Sequence, residues 1–557
     1  MSRRACESCR IRKVKCSSGQ PCSQCAQLGL PCAVVAGRPK RNNPVRGRLI
    51  AKARGEDDDD SARSLPPVAP SLASFSPAFF FDLLPAFEQL VYPFNPVICP
   101  DDLYHAIHAM DDSVEDRALV FAFAAATVFL AADETSNAML SPSVVPSPGR
   151  RAARTQVETL VQHSLDAHKR LDSLHGLGGA KDNGDNEDDG MRTAVAEEPP
   201  VTIKRIVTCI FLEISMMGFR NYTRSFSLLR EAITMLQIIQ VRHPATAAGS
   251  GEDAARYQRL YWEAFIHERF LTIAAGYPSI LPPLPGTNGQ GHKVSLLPDP
   301  TVPAHIKLGF GRLVQLFLVM DEQFLKYWGQ QGPGQTTLGD DDASVAVAWI
   351  EAKQAQLDID EAEVQQIANA NANDNANMSD SGLTELQHAD LFITRLWLRT
   401  LVWQLALARG LLRSDPAAHY HPGHSGGHNA VHEGLSLHFP AQRLSAQLRL
   451  LVSRLASVAS IGQQGSGIVQ KLFEITSTIA DVLTLPRSIE QQETIQREGY
   501  EGYEGQQTQH DVTDFVFLVQ FVSQFARIRE QQKAYLWDKV DQLRAQHGLE
   551  SAGGHAV

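Results

Sequence analysis

The chain has 557 residues, 43% hydrophobic and 20% charged, with a formal net charge of −11; that length is too great for one hydrophobic core and allows about two to four domains. The charge is uneven: residues 1–54 hold thirteen Lys or Arg and one acid, Glu7, so the head carries +12 and the remainder −23. A basic head suits a polyphosphate partner and an acidic body is repelled by one, so a uniform nucleic-acid-binding surface is excluded.

The first residues, MSRRACESCR, contain no apolar run, so no secretory signal is expected and the cysteines should be reduced. Six of the eight cysteines fall within residues 6–32: Cys6, Cys9, Cys16, Cys22, Cys25 and Cys32. Their spacing repeats as C-x2-C-x6-C, with SSGQP between the copies, which predicts two versions of one loop-and-short-helix unit. Zn²⁺ takes four thiolates in a tetrahedron at about 2.3 Å. Two ions then need eight ligand positions, and six sulfurs supply them only if two sulfurs bridge. The internal symmetry nominates Cys6 and Cys22. A disulfide framework conflicts with the reducing compartment, and a one-zinc ribbon leaves two regularly spaced cysteines unexplained. Cys99 and Cys209 lie in apolar surroundings and are expected to be buried thiols.

The two halves differ in charge. After Cys9 the chain reads RIRKVK, whereas after Cys25 it reads AQLGLP. If each half forms a short helix against the metals, the first presents Arg10, Arg12, Lys13 and Lys15 to the major groove, where Arg and Lys donate to guanine O6 and N7. Lys13 and Arg12 are the candidates for base reading; Arg10 and Lys15 are assigned to phosphate or to screening the cluster. For each of the four, a phosphate contact without sequence information is the competing reading.

The stretch ACESCRIRKVKCSSGQPCSQCAQLGLPC resembles the fungal Zn2Cys6 binuclear cluster family, including Arg10 after the second cysteine, Lys13 and Lys15 before the third, and Pro21 before the fourth. The resemblance implies a DNA-binding domain over residues 1–37 holding two structural zinc ions. It also implies a nuclear RNA polymerase II transcription factor, with Lys13, helped by Arg12, contacting a CGG half-site in double-stranded DNA.

Residues 38–54, RPKRNNPVRGRLIAKAR, read as a nuclear-import signal, a phosphate-contacting arm or a solvated linker. They carry no a/d apolar repeat, so a homodimer would form without a zipper, through the helical body. GEDDDD and a Ser/Pro-rich segment follow, and residues 38–75 are expected to be linker.

From residue 76 to 546 the pattern predicts an all-helical body, making the protein mostly α, with a disordered tail over 547–557. Phe226, Leu229, Ile233 and Leu236 form one apolar stripe, and similar stripes run over 80–92, 116–131, 153–171, 202–217, 256–275, 303–328, 386–412, 438–460, 466–485 and 512–545. Low-complexity segments such as HGLGGAKDNGDNEDDG, GQQGPGQTTLGDDD, NANANDNANMSDSG, HYHPGHSGGH and EGYEGYEGQQTQ are expected to be disordered loops. The longest apolar stretch, Ala118 to Ala132, has fifteen residues, short of the roughly 20 a membrane helix needs, so it predicts a buried helix and no membrane partner.

FEQLVYPFNPV, YTRSFSLLREAITMLQIIQV, RYQRLYWEAFIHERFLTIAAGYPSILPPLP and TRLWLRTLVWQLALARGLL resemble the fungal middle homology region, closest to amylolytic and maltose regulators. That resemblance implies a regulatory body acting with the transcription machinery or a corepressor, and responsive to a small-molecule effector. The expected role is an activator of a metabolic pathway or of a secondary-metabolite gene cluster. The alternative is a ligand-sensing or corepressor-binding scaffold that the cluster only tethers to chromatin.

Other chemistry in the body is sparse. Glu268 and Arg269 lie in an apolar helix; the alternatives are a ligand contact and an ion pair at the helix surface, and the ion pair is the expected one. His419, His421, His424, His428 and His432 have metal valency but sit in a Gly/Pro/Ser-rich loop. GQQGSG at 462–467 lacks the preceding strand of a nucleotide site. Trp397 and Trp403 read as core, and the acidic 488–504 segment as a solvated loop rather than an activation region. No nucleophile, base or cofactor fingerprint stands in context, so no enzyme is expected.

Overall fold

In a computed structural model of the chain, the described residues are 6, 16–17, 21–22, 25–26, 32, 75–131, 148–175, 201–244, 251–285, 294–330, 340–373, 382–413, 432–454, 461, 466–485, 501–525 and 527–547. From residue 75 onward they form helices, with no strand among them. The one β-bridge pairs Arg413 with Ser436.

The first group comprises α1 (Pro77–Leu90), α2 (Pro100–Ala109), α3 (Val114–Ala131), α4 (Pro148–His175), α5 (Ile203–Gly218), α6 (Tyr222–Arg242) and α7 (Glu252–Ala275). Helix α3 is its centre: Ala118 through Ala126 are all buried, and α1, α2, α4 and α5 pack around it. Its four alanines between Ala122 and Ala126 leave room for close helix approach, and Gly218 at the end of α5 serves the same end. A Cβ there would stand 2.1 Å from the Phe129 ring. The starts of α5 and α6 are capped by side chains: Thr202 accepts the Arg205 N–H, and Asn221 accepts the Arg224 N–H. Helix α7 ends at Gly276 in the left-handed region, φ 74°.

The second group comprises α8 (Ala304–Phe317), α9 (Glu322–Gly329), α10 (Asp340–Asn373), α11 (Glu385–Ala408), a 3-10 turn (Glu433–Leu435), a π turn (Pro440–Leu444), α12 (Ser445–Arg454), α13 (Ser466–Leu483), α14 (Glu501–Ser523) and α15 (Glu530–His547). Helix α11 starts at a capping box, Thr384 with Gln387. It is long and apolar enough to cross a membrane, yet 89% of that stretch is buried, so it is a core helix. Trp397 and Trp403 lie in this core as expected, 1% and 0% exposed. Their indole N–H groups donate to Glu474 at 2.5 Å and to the Ser436 carbonyl at 2.9 Å.

Four expectations about the body need correction. Helix α10 matches no apolar stripe, and it runs into two segments read as loops, from Asp340 at the end of GQQGPGQTTLGDDD to Asn373 in NANANDNANMSDSG. Charge pairing draws it into the fold: Asp360 binds Arg395 of α11 at 2.7 Å, Glu363 binds Arg312 of α8 at 2.6 Å, and Asp358 and Glu361 bind Arg399 of α11 at 2.6 and 2.9 Å. Helix α14 begins at Glu501, inside EGYEGYEGQQTQ, where the glycines do not stop it. Cys99 is only half-buried, because its sulfur accepts the Asp102 N–H at 3.4 Å and caps α2; Cys209 is fully buried as expected. Glu268 and Arg269 do form an ion pair, at 3.2 Å, but both are at most 3% exposed, so the pair lies in the interior. The segments 176–190, 419–428 and 488–500, and the tail from 548, lie outside the described residues.

Candidate metal centre and nucleic-acid interface

The sulfurs of Cys6, Cys22, Cys25 and Cys32 all lie within 4.8 Å of one another. Cys6 Sγ stands 3.7 Å from Cys22 Sγ and 3.5 Å from Cys25 Sγ, and the described cysteines form no disulfide. Four thiolates around one zinc at about 2.3 Å are separated by about 3.8 Å, so these spacings match a tetrahedral site. Three of the four belong to the second half of the cysteine pattern, and Cys6 comes from the first.

Local backbone geometry explains how the chain reaches this arrangement. The Ala26 N–H donates to the Cys22 carbonyl at 2.7 Å, forming one helical turn that brings Cys22 and Cys25 to the same side. The Cys25 N–H also donates to Cys22 Sγ at 3.4 Å. Two further bonds repeat the pseudo-symmetry read from the spacing: the Cys6 N–H donates to Cys16 Sγ at 3.4 Å, and the Cys22 N–H to Cys32 Sγ at 3.2 Å, each across ten residues. Such donors favour the ionised thiolate. The Cys22 N–H is the main reason the Cys32 thiol lies below its ordinary range; burial, followed by Cys22 and Cys6, pushes Cys25 up. Thiols this close ionise together only when a cation compensates them, which is what a metal supplies. Cys9 and the four candidate DNA contacts, Arg10, Arg12, Lys13 and Lys15, lie outside the described residues.

A second His/Cys/acid group in the body has a different character. His168, Cys209 and Glu231 come together, with His168 Nε2 2.7 Å from Glu231 Oε1 and 3.8 Å from Cys209 Sγ. Arg205 also reaches Glu231 Oε1, at 2.9 Å, so a cation already occupies that side of the carboxylate. Burial opposes ionisation of Glu231, but the hydrogen bonds and charges of His168 and Arg205 hold it down to about 2. This is an ion-pair network joining α4, α5 and α6. Of the His-rich tract, His432 alone is described; its Nε2 lies 2.8 Å from Asp358 on α10.

His267 on α7 sits between two carboxylates, Glu213 on α5 at 2.7 Å and Glu263 on its own helix at 2.9 Å. Burial disfavours the charged ring, yet the two acids outweigh it and raise His267 from 6.5 to about 10. The stabilisation is therefore whole below about pH 6.5 and lost as pH rises through about 10. Thermal melts should show stability falling across that alkaline window, and the fall should be flatter in His267→Gln, which starts lower because Glu213 loses its cationic partner and keeps only the Ser225 hydroxyl. Equal slopes in both proteins would contradict this assignment. Sequence reading passed over the pair, although Glu263 and His267 at i,i+4 in an apolar helix were a visible signal.

Comparisons with known proteins agree with the cysteine geometry. Residues 4–42 match the fungal Zn(2)-Cys(6) binuclear cluster domain, a module that binds DNA and two zinc ions. Over 501 residues, 89% of this chain and 82% of the relative, the chain is 22% identical to a probable sucrose utilization protein of Candida albicans. It is 32% identical over 105 residues to a maltose fermentation regulatory protein of Saccharomyces cerevisiae, covering 18% of this chain and 22% of that one. It is 37% identical over 81 residues to cutinase transcription factor 1 alpha of Fusarium vanettenii, covering 13% and 9%. These matches place the chain among DNA-binding transcription regulators, a class without catalytic activity whose fungal members are generally nuclear.

Proposed function

With a fungal Zn(2)-Cys(6) binuclear cluster as the amino-terminal module of this chain, we propose that the protein is a nuclear, sequence-specific regulator of RNA polymerase II transcription that recognises CGG-type half-sites and activates a metabolic gene set. Residues 1–37 form the DNA-binding domain, 38–75 the linker, and 76–546 a regulatory body of the middle homology type. The body engages the transcription machinery or a corepressor and receives a small-molecule signal. A similarity that spans 89% of this chain is to a protein named for sucrose utilization, which favours a carbohydrate-use pathway over a secondary-metabolite cluster.

The observation that carries this reading is the gathering of Cys6 with Cys22, Cys25 and Cys32. A first-half cysteine among three second-half cysteines is what a shared sulfur requires. We assign Cys6 and Cys22 as the bridges, with Cys9 and Cys16 completing the other zinc. Two structural ions then hold a module too small for a hydrophobic core of its own, and the cationic first helix is presented as a rigid unit.

Lys13 is assigned to a guanine edge with Arg12 beside it, and Arg10 and Lys15 to phosphates. Lys13→Ala should cost about 1–3 kcal/mol at the preferred site and far less on random duplex. Fluorescence anisotropy on both duplexes measures this, and equal losses would reassign Lys13 to the phosphates. Replacing the cluster with an unrelated DNA-binding domain tests the address itself: unchanged target choice would favour the tethered-scaffold alternative.

A further inference from the structure

Helix α10 is amphipathic in the inverted sense. Toward the body it buries Lys353, Gln354 and Asp360 beside Ala346, Ile350 and Leu357. Toward solvent it presents Val345, Ala348, Ala352, Ala355, Ile359 and Ala362, all of them exposed. Val345 is 64% and Ile359 63% exposed, among the most exposed large hydrophobic side chains of the described residues. The six recur at alternating steps of three and four, the a and d positions of a heptad repeat, and Gln366 closes the series at the next a position. The neighbouring α11 and 3-10 turn are met from the opposite side, where Asp360 binds Arg395 and Gln354 lies against Gly434.

We propose that this face docks a second copy of the same helix, packed antiparallel about a two-fold axis that passes between Ala352 and Ala355. A two-fold contact requires that where residue i meets j, j also meets i, and the face satisfies this in one register. An antiparallel pair sets a against d, so Val345 faces Ala362 of the second copy, Ala348 faces Ile359, and Ala352 faces Ala355. Each larger side chain then meets an alanine, and the helices can approach to about 8 Å, the near end of the usual range. A parallel in-register pair would set Val345 on Val345 and Ile359 on Ile359, holding the backbones apart and leaving gaps at the alanine layers. Beside the seam, Glu351 comes near Asp358 of the second copy. Both acids are already engaged within their own chain: Asp358 binds Arg399 at 2.6 Å and His432 at 2.8 Å, and Glu351 accepts the His432 N–H at 3.1 Å. The six seam positions bury less than the roughly 1,200 Å² in total that a stable interface needs, so the dimer is weak and reversible. It joins two amino-terminal modules in one particle without an a/d repeat in residues 38–54.

The test uses the zinc-loaded full-length protein without DNA, so its outcome is independent of the half-site reading. Sedimentation equilibrium over a rising concentration series should show a reversible monomer-to-dimer transition in the micromolar range. Ile359→Glu should weaken it by about tenfold or more, because the seam loses a buried isoleucine and gains a charge opposite Ala348. Val241→Glu, at an exposed valine on α6, should leave it unchanged. Ile359 faces water in the single chain, so dilute Ile359→Glu should melt as the wild type does. Mixing Ile359→Glu with Ala348→Lys should associate more tightly than either variant alone, because the antiparallel register sets positions 359 and 348 face to face. Hydrogen exchange on the wild type needs no variant: exchange over residues 345–362 should slow as concentration rises. The proposal is overturned if the wild type stays monomeric throughout, which would leave the face to a helix of another protein or to another segment of this chain. It is equally overturned if Ile359→Glu associates as the wild type does, if Val241→Glu weakens association as much, or if protection appears only elsewhere. A mixture that associates no better than its components overturns the antiparallel register.

Discussion

Removing zinc from the full-length protein is expected to abolish sequence-specific DNA binding, and Cys22→Ala is expected to do nearly the same. A module of some forty residues cannot bury enough apolar surface to fold alone, so its folding free energy comes chiefly from metal coordination. Cys22 holds three positions at once. Its sulfur lies 3.7 Å from Cys6, it accepts the Cys25 N–H, and its own N–H donates to Cys32. Under the bridging assignment it would serve both ions, so its loss should release or loosen both. Affinity for a CGG-containing duplex should then fall by about a thousandfold, to the level of non-specific binding. Metal analysis with anisotropy on the same samples measures both effects, and Cys209→Ala, at a buried thiol beside His168 and Glu231, should keep two zincs and full affinity. A Cys22→Ala protein that retains both ions and binds normally would show that the bridging assignment is wrong.

The largest expected effect on the body comes from Glu268→Ala. This carboxylate accepts the Ile280 and Leu281 N–H groups, each at 2.9 Å, and the Ser279 hydroxyl at 2.5 Å, while Arg269 and Arg230 stand at 3.2 and 2.9 Å. It therefore pins the segment after α7, where the Leu281 N–H would otherwise be buried without a partner, and it neutralises Arg269, which is 3% exposed. Truncating one member of a buried, hydrogen-bonded ion pair costs about 3–5 kcal/mol. Chemical denaturation followed by circular dichroism should show a loss of that size, and Glu268→Gln a smaller one, because the amide oxygen still accepts one of the two N–H bonds. A change below about 1 kcal/mol, the range of exposed pairs, would return Glu268 to the helix surface.

The head and the body were legible to different degrees. For the head, ligand type and spacing carry the chemistry: a repeated C-x2-C-x6-C restricts which sulfurs can converge, and convergence of Cys6 with Cys22, Cys25 and Cys32 follows that logic. In the body, apolar stripes located most helices, α3 and α11 most clearly, because those elements are buried around most of their circumference. Helix α10 escaped because its buried face mixes Ala346, Ile350 and Leu357 with Lys353, Gln354 and Asp360, so the apolar stripe is broken by polar residues whose partners lie on other helices. The acids at Asp358, Asp360, Glu361 and Glu363 resemble a solvated face until Arg312, Arg395 and Arg399 are placed opposite them. Glu268 was misjudged for a related reason: a Glu-Arg dipeptide reads as surface, and only the turn folding back over α7 buries it.

Sequence alone determined the all-helical character of the body, the metal chemistry of the head and its separation in charge from the remainder, since each depends on residue type and short-range spacing. Tertiary structure alone decided which charged side chains are buried, which helices they join, and that Glu263 and Lys471, more than two hundred residues apart, line one cavity. The division is physical. Periodicity and ligand spacing act within a few turns of chain, whereas the burial of a charge is set by what packs over it from elsewhere.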